Sequence, residues 1–148
     1  MLKIALGSDH VGLDLKNEIA DHLTQKGYTC HDFGAFDKKR TSYPIHAKTV
    51  CQAVVSGEYD RGILICGTGI GMSITANKIH GIRAVVCSEP YSAALSRQHN
   101  NTNILAMGAR VVGIDLAEMI VDIWLSSNYE GGRHQERLDM ISDLEDER

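Results

Sequence analysis

The stretch Gly62–Ile74, GILICGTGIGMSI, brings a thiol, a hydroxyl and three glycines close together. Ile63, Leu64 and Ile65 form a short apolar run of the kind that makes a buried central strand. Cys66 ends that run, glycines follow at 67, 69 and 71 with Thr68 between the first two, and Ser73–Lys78 reads as helix. A strand end, a Gly-rich turn and a helix N-terminus gather backbone N–H groups and the positive end of a helix dipole at one spot. That setting suits an anion or a developing oxyanion, and it favours Cys66 as a thiolate. The same residues also fit a plain tight turn whose cysteine is a small buried hydrophobe.

Known glycine-rich loops fit this stretch weakly or not at all, because of what it lacks. A dinucleotide fingerprint needs glycine at its sixth place, and a cysteine-phosphatase loop needs arginine six positions after the cysteine; Met72 occupies both places. No lysine follows the glycines, so a nucleotide P-loop is excluded too.

Other chemistry-bearing residues lie at predicted element ends. Asp9-His10 closes the first strand, where Asp9 either faces the same cleft as Cys66 or caps the following helix. His99-Asn100 ends a helix, where a histidine can also simply complement the dipole. Arg110, Arg133 and Arg137 are the phosphate candidates. The last two lie four apart, hence on one helical face, which fits either a phosphate grip or a solvated surface. His22, His31, His46 and His80 show no metal-ligand spacing and read as structural or surface groups.

The elements that must position these residues alternate. Strands are predicted at Leu2–Leu6, Tyr28–Phe33, Ile63–Ile65, Ile82–Cys87 and Asn103–Met107. Helices are predicted at Gly12–Lys26, Tyr43–Ser56, Ser73–Lys78, Pro90–Gln98, Leu116–Leu125 and Arg133–Glu147. This alternation means βαβ units and a five-stranded parallel sheet covered on both faces. Ligands then bind beyond the carboxyl ends of the strands, where strand order reverses. The loops expected to meet there are Ser8-Asp9-His10, Cys66–Gly71, Ser88-Glu89 and Gly108–Arg110.

The 148 residues, without repeat or linker, are expected to form a single domain over 1–148. A net charge of −4 argues against a nucleic-acid binder. The four cysteines form no CxxC pair, which fits reduced thiols in a cytoplasmic protein. No apolar run approaches a membrane span, and Met1 leads straight into strand-like residues.

Taken together, GSDHVG at 7–12, SYP at 42–44, ICGTGIGMSI at 65–74, ANK at 76–78, GIRAVVCSEPYSA at 81–93, SRQHNNTN at 96–103, GARVVG at 108–113 and YEGGRHQER at 129–137 resemble the family of type B ribose-5-phosphate and galactose-6-phosphate isomerases. The resemblance covers nearly the whole chain. It implies a Rossmann-like αβα sandwich, a homodimer or dimer of dimers with active sites at the subunit interface, and no metal or cofactor. It implies an aldose–ketose isomerase acting on a small sugar phosphate, interconverting ribose 5-phosphate and ribulose 5-phosphate through a cis-enediolate in the pentose phosphate pathway. Cys66 would move the proton between C2 and C1. The amides of Gly67, Gly69 and Gly71, with Asn100, would stabilise the enediolate, and Thr68 would shift a proton between the oxygens. His99, assisted by Asp9, would open the furanose. His10, Arg133 and Arg137 would hold the phosphate with Arg110 from the partner subunit, and Tyr43 would line the sugar site. One branch of the family has glycine in place of Cys66 and glutamate in place of Met72, so this chain is of the cysteine-base type. Two other functions fit the same residues: an isomerase of six-carbon sugar phosphates such as allose 6-phosphate, and a non-catalytic nucleotide or sugar-phosphate sensor.

Overall fold

A computed structural model describes residues 1–147; Arg148, the last residue of the expected domain, lies outside the described residues. The strands are β1 (Lys3–Ser8), β2 (Thr29–Asp32), β3 (Arg61–Cys66), β4 (Ala84–Val86) and β5 (Ile104–Gly108). The helices are α1 (Leu13–Gln25), α2 (Tyr43–Val55), α3 (Ile70–Ala76), α4 (Pro90–Asn100), α5 (Ile114–Ser126) and α6 (Arg133–Asp146). All pairings are parallel, in the order β2-β1-β3-β5-β4. The expected five-stranded α/β architecture is therefore the observed one.

Side-chain alternation along the strands assigns the helices to two faces. Ile4, Leu6, Ile63, Ile65, Leu105 and Met107 point to one face, where they pack with α1, α4 and α5 around the wholly buried Trp124. Ala5, Leu64, Cys66, Ile104 and Ala106 point to the other, beneath α2 and α3. The small residues on this second face let α2 come close: a Cβ on Gly62 would lie 2.7 Å from Val50. Cys66 thus projects toward α3 rather than toward the Trp124 core.

Strand order reverses between β1 and β3. The chain leaves β1 for β2 on one side and leaves β3 for β4 on the other, which opens a crevice at their carboxyl ends. Each crossover helix carries the chain back from that edge to the amino edge. α6 has no following strand and packs at the amino edge, where Leu138 is buried and Glu145 accepts a bond from Gly81 N at 3.2 Å. Among the described residues no helix is long and apolar enough to cross a membrane.

Candidate active site

The carboxyl-edge loops are tied to one another by backbone bonds. Asp9 N donates to Ile65 O at 3.2 Å, Ala109 N to Cys66 O at 2.8 Å, and Arg110 N to Gly67 O at 3.1 Å. They frame a cleft of about 420 Å³ lined by Asp9, Tyr43, Cys66, Gly67, Thr68 and Gly71, with Ile70 and Ile74 at its rim. That volume suits a small polar metabolite.

Cys66 is 5% exposed and its Sγ accepts a hydrogen bond from Gly69 N at 3.1 Å. The bond exists because Gly69 adopts φ +80°, folding its amide back over the sulfur at the cap of α3. α3 starts at Ile70, three residues ahead of the expected Ser73, so Gly71 lies in its first turn. The Gly69 amide, expected to serve an oxyanion, is instead committed to the thiol. Thr68 Oγ1 accepts from Ile70 N at 3.2 Å, which leaves its own proton free to point into the cleft. Gly71 is required by its neighbour: a Cβ there would lie 2.4 Å from Cζ of Tyr43, whose ring crosses the turn. Met72 is fully buried under the sheet and takes no part in the cleft.

The other thiols are set apart by burial. It pushes Cys30 and Cys87 up to about 11 and Cys51 to about 12, so all three stay protonated at neutral pH. All four cysteines are free.

Of the two readings of Asp9 the cleft-facing one is observed, whereas α1 is capped by Gly12 without a side-chain bond, so Asp9 only steadies the turn ahead of it. Its Oδ1 accepts from Gly12 N at 3.0 Å, fixing the entry to α1, and the residue also lines the cleft. His10 Nδ1 accepts from Thr41 N at 3.2 Å, which places the ring proton on Nε2. The loop carrying Thr41 is anchored by Lys16, a wholly buried lysine whose Nζ pairs with Asp32 at 2.9 Å and donates to Ala35 O. Arg110 packs over Gly67 of its own chain: a Cβ on Gly67 would lie 3.8 Å from Arg110 Nη1. Glu89 is used locally, capping α4 through Ser92 N at 3.0 and 3.1 Å; that bonding holds its carboxyl below the usual range.

His99, Asn100, Arg133 and Arg137 are not in the cleft. They lie at the amino edge, because α4 runs back from the carboxyl edge before it ends. Asn100 O accepts from Arg83 Nε at 2.9 Å, just ahead of β4, and Glu130 N donates to Gln98 O at 3.0 Å. Strands of five or six residues span roughly 17–20 Å, and that length separates the two groups within one chain. Arg133 and Arg137 share a face as expected, with Arg137 Nη1 donating to Arg133 O at 3.4 Å. At this edge the His99 and His134 rings stack, centroids 4.2 Å apart, and both face Glu130. Glu130 and His134 were not foreseen; with His99 they bring three ligand-type atoms together, which the four histidines read above as structural or surface groups do not. The spacing of Glu130 and His134 by four around two glycines was the available signal.

The profile of the Ribose/Galactose Isomerase family matches residues 4–141 of this chain. The chain is 61% identical over 148 residues to ribose-5-phosphate isomerase B of Escherichia coli, covering 100% of this chain and 99% of that one. The solved ribose-5-phosphate isomerase B of Clostridium thermocellum superposes with a TM-score of 0.98 at 53% identity, over 99% of both chains. That of Mycoplasma genitalium, solved with bound ribulose-5-phosphate, superposes with a TM-score of 0.93 at 41% identity, over 99% of this chain and 97% of the other. The motif-bearing loops and the sheet order thus have counterparts along the entire chain, which belongs to the Ribose/Galactose Isomerase family.

Proposed function

We propose that this chain interconverts ribose 5-phosphate and ribulose 5-phosphate, with Cys66 as the base that carries a proton between C2 and C1. The observation that carries this reading is Cys66 itself. It is a thiol at the topological switch point, held by an amide donor, in a cleft shared with Asp9, Tyr43 and Thr68. The similarity to enzymes of that activity supports the substrate class.

The reaction runs in three stages. Asp9 and His99 exchange protons with the ring and anomeric oxygens to open the furanose. Cys66 thiolate then removes the C2 proton, and the electron pair moves into a cis-enediolate. The Gly67 and Gly71 amides, with Asn100, stabilise the charge on its oxygens. Thr68 transfers a proton between O2 and O1, and the Cys66 thiol returns its proton to C1. The dianionic phosphate is met by His10 Nε2–H and Arg110 on one side and by Arg133 and Arg137 on the other.

This assignment needs two chains, since His99, Asn100, Arg133 and Arg137 lie a sheet's length from Cys66. The reading is a homodimer, alone or paired into a dimer of dimers, with each site combining one chain's carboxyl edge and its partner's amino edge. Ile70, Ile74, Val86 and Val111, exposed apolar residues around the cleft, suit contact with a second copy. Four free thiols fit a cytoplasmic location.

The test is interconversion of the two pentose phosphates with EDTA present, for wild type and Cys66→Ala. Turnover in the wild type with a loss of about 10²- to 10⁴-fold in the variant is expected, with sugar-phosphate binding retained. Full activity in Cys66→Ala would remove the thiol from the mechanism.

A further inference from the structure

The amino-edge cluster is more than a positioning device for one histidine. His134 Nε2 lies 3.5 Å and His99 Nε2 3.7 Å from the same Glu130 Oε1, and the ligand-type atoms of all three residues fall within 4.8 Å of one another. His134 is only 9% exposed, yet among the described residues neither its ring nor that of His99 makes a hydrogen bond. Glu130 is delivered by a shaped turn. Its N–H is fixed to the end of α4, and Gly131 and Gly132, at φ +66° and +57°, fold the chain back beneath the first turn of α6.

Two imidazoles and one carboxylate are the donor set of three-ligand zinc sites, in which the fourth position stays open. Magnesium and calcium call for oxygen ligands instead. Tetrahedral zinc with bonds near 2.0–2.2 Å sets its ligand atoms about 3.3 Å apart. The two Glu130 separations exceed that by a few tenths of an ångström. The rings, 14° from parallel, must splay to aim both nitrogens at one ion. His99 can do this, because its side chain is 34% exposed near the end of α4, while His134 stays packed.

We propose that His99, Glu130 and His134 bind zinc, and that the bound ion shuts the isomerase down by taking up His99. The site stands on the three residues alone; the inhibition rests on the ring-opening role assigned to His99, since an imidazole nitrogen bonded to zinc can neither accept nor deliver a proton. Zinc here is an inhibitor and not a cofactor.

Zinc chloride is titrated calorimetrically into the chelator-treated full chain, for wild type, His134→Ala, Glu130→Gln and Cys66→Ser. Parallel assays follow ribose 5-phosphate turnover in zinc and after EDTA. Binding is expected in the wild type and in Cys66→Ser, and weaker by about tenfold or more in His134→Ala and in the surface variant Glu130→Gln. Wild-type turnover falls in zinc and returns with EDTA, while Glu130→Gln keeps its turnover at the same zinc concentration. Absence of binding, or binding lost in Cys66→Ser and kept in Glu130→Gln, would overturn the site. Zinc held by the three residues without loss of turnover would uphold the site, overturn the inhibition, and contradict the role of His99.

Discussion

Cys66 differs from the other three thiols in what surrounds its sulfur. Cys30, Cys51 and Cys87 sit among apolar groups that penalise a thiolate, whereas Cys66 receives an N–H from Gly69 at the mouth of a cleft. Raised values mean the three remain thiols at neutral pH, and the thiol is the unreactive form. Iodoacetamide at neutral pH is therefore expected to alkylate Cys66 alone. Mass spectrometry should find the label there in proportion to lost turnover, and saturating ribose 5-phosphate should slow it. Label on Cys87 or Cys51 at comparable rates would contradict this contrast. The sequence made Cys66 readable because strand, thiol and glycine turn are contiguous. It did not reveal that Gly69 spends its amide on the sulfur, because that depends on a left-handed φ. Lys16 was equally hidden: its sequence neighbours are those of an ordinary amphipathic helix, and its anion, Asp32, lies at the end of β2.

At the scale of elements, the turn between β3 and α3 depends on glycines for two distinct reasons. Gly69 combines φ +80° with a backbone so close that a Cβ would sit 2.7 Å from the Met107 carbonyl carbon. Gly69→Ala should lower stability by roughly 2–3 kcal/mol, read from denaturant unfolding, and should cost activity as well. Gly71 is helical and unstrained, but a Cβ there collides with Tyr43. Gly71→Ala should leave the unfolding midpoint nearly unchanged while reducing kcat/KM by about 10- to 100-fold through displacement of that ring. Equal losses of stability in the two variants would refute the distinction. Periodicity located every strand and helix, missing mainly at ends: α3 begins three residues early, and β4 is only Ala84–Val86. Those ends are set by the Gly69 cap and by Asn77, whose side chain bonds both Ala84 N and Ala84 O. Neither contact leaves a periodic trace in the sequence.

For the whole molecule, the consequence of parallel topology is that one chain holds the proposed machinery in two halves. Residues at strand ends face one edge, and residues at the ends of crossover helices face the other. His99 at the end of α4 obeys that rule, and Arg133 follows from it because α6 starts after α5 has returned the chain to the same edge; the rule could have been applied to the element order alone. Motif matching grouped them with Cys66, but grouping by motif carries no information about distance. If two chains complete each other, Cys66→Ala and His99→Asn should be inactive separately. After unfolding and refolding together, half of the dimers would be hybrids, each with one site that has both Cys66 and His99. The measurement is ribose 5-phosphate isomerisation by each variant alone and by the co-refolded equimolar mixture. Recovery of about a quarter of wild-type turnover in the mixture, from two inactive parents, is the expected result. A mixture as inactive as its parents would contradict the shared site, and turnover by either parent alone would strip that residue of its role.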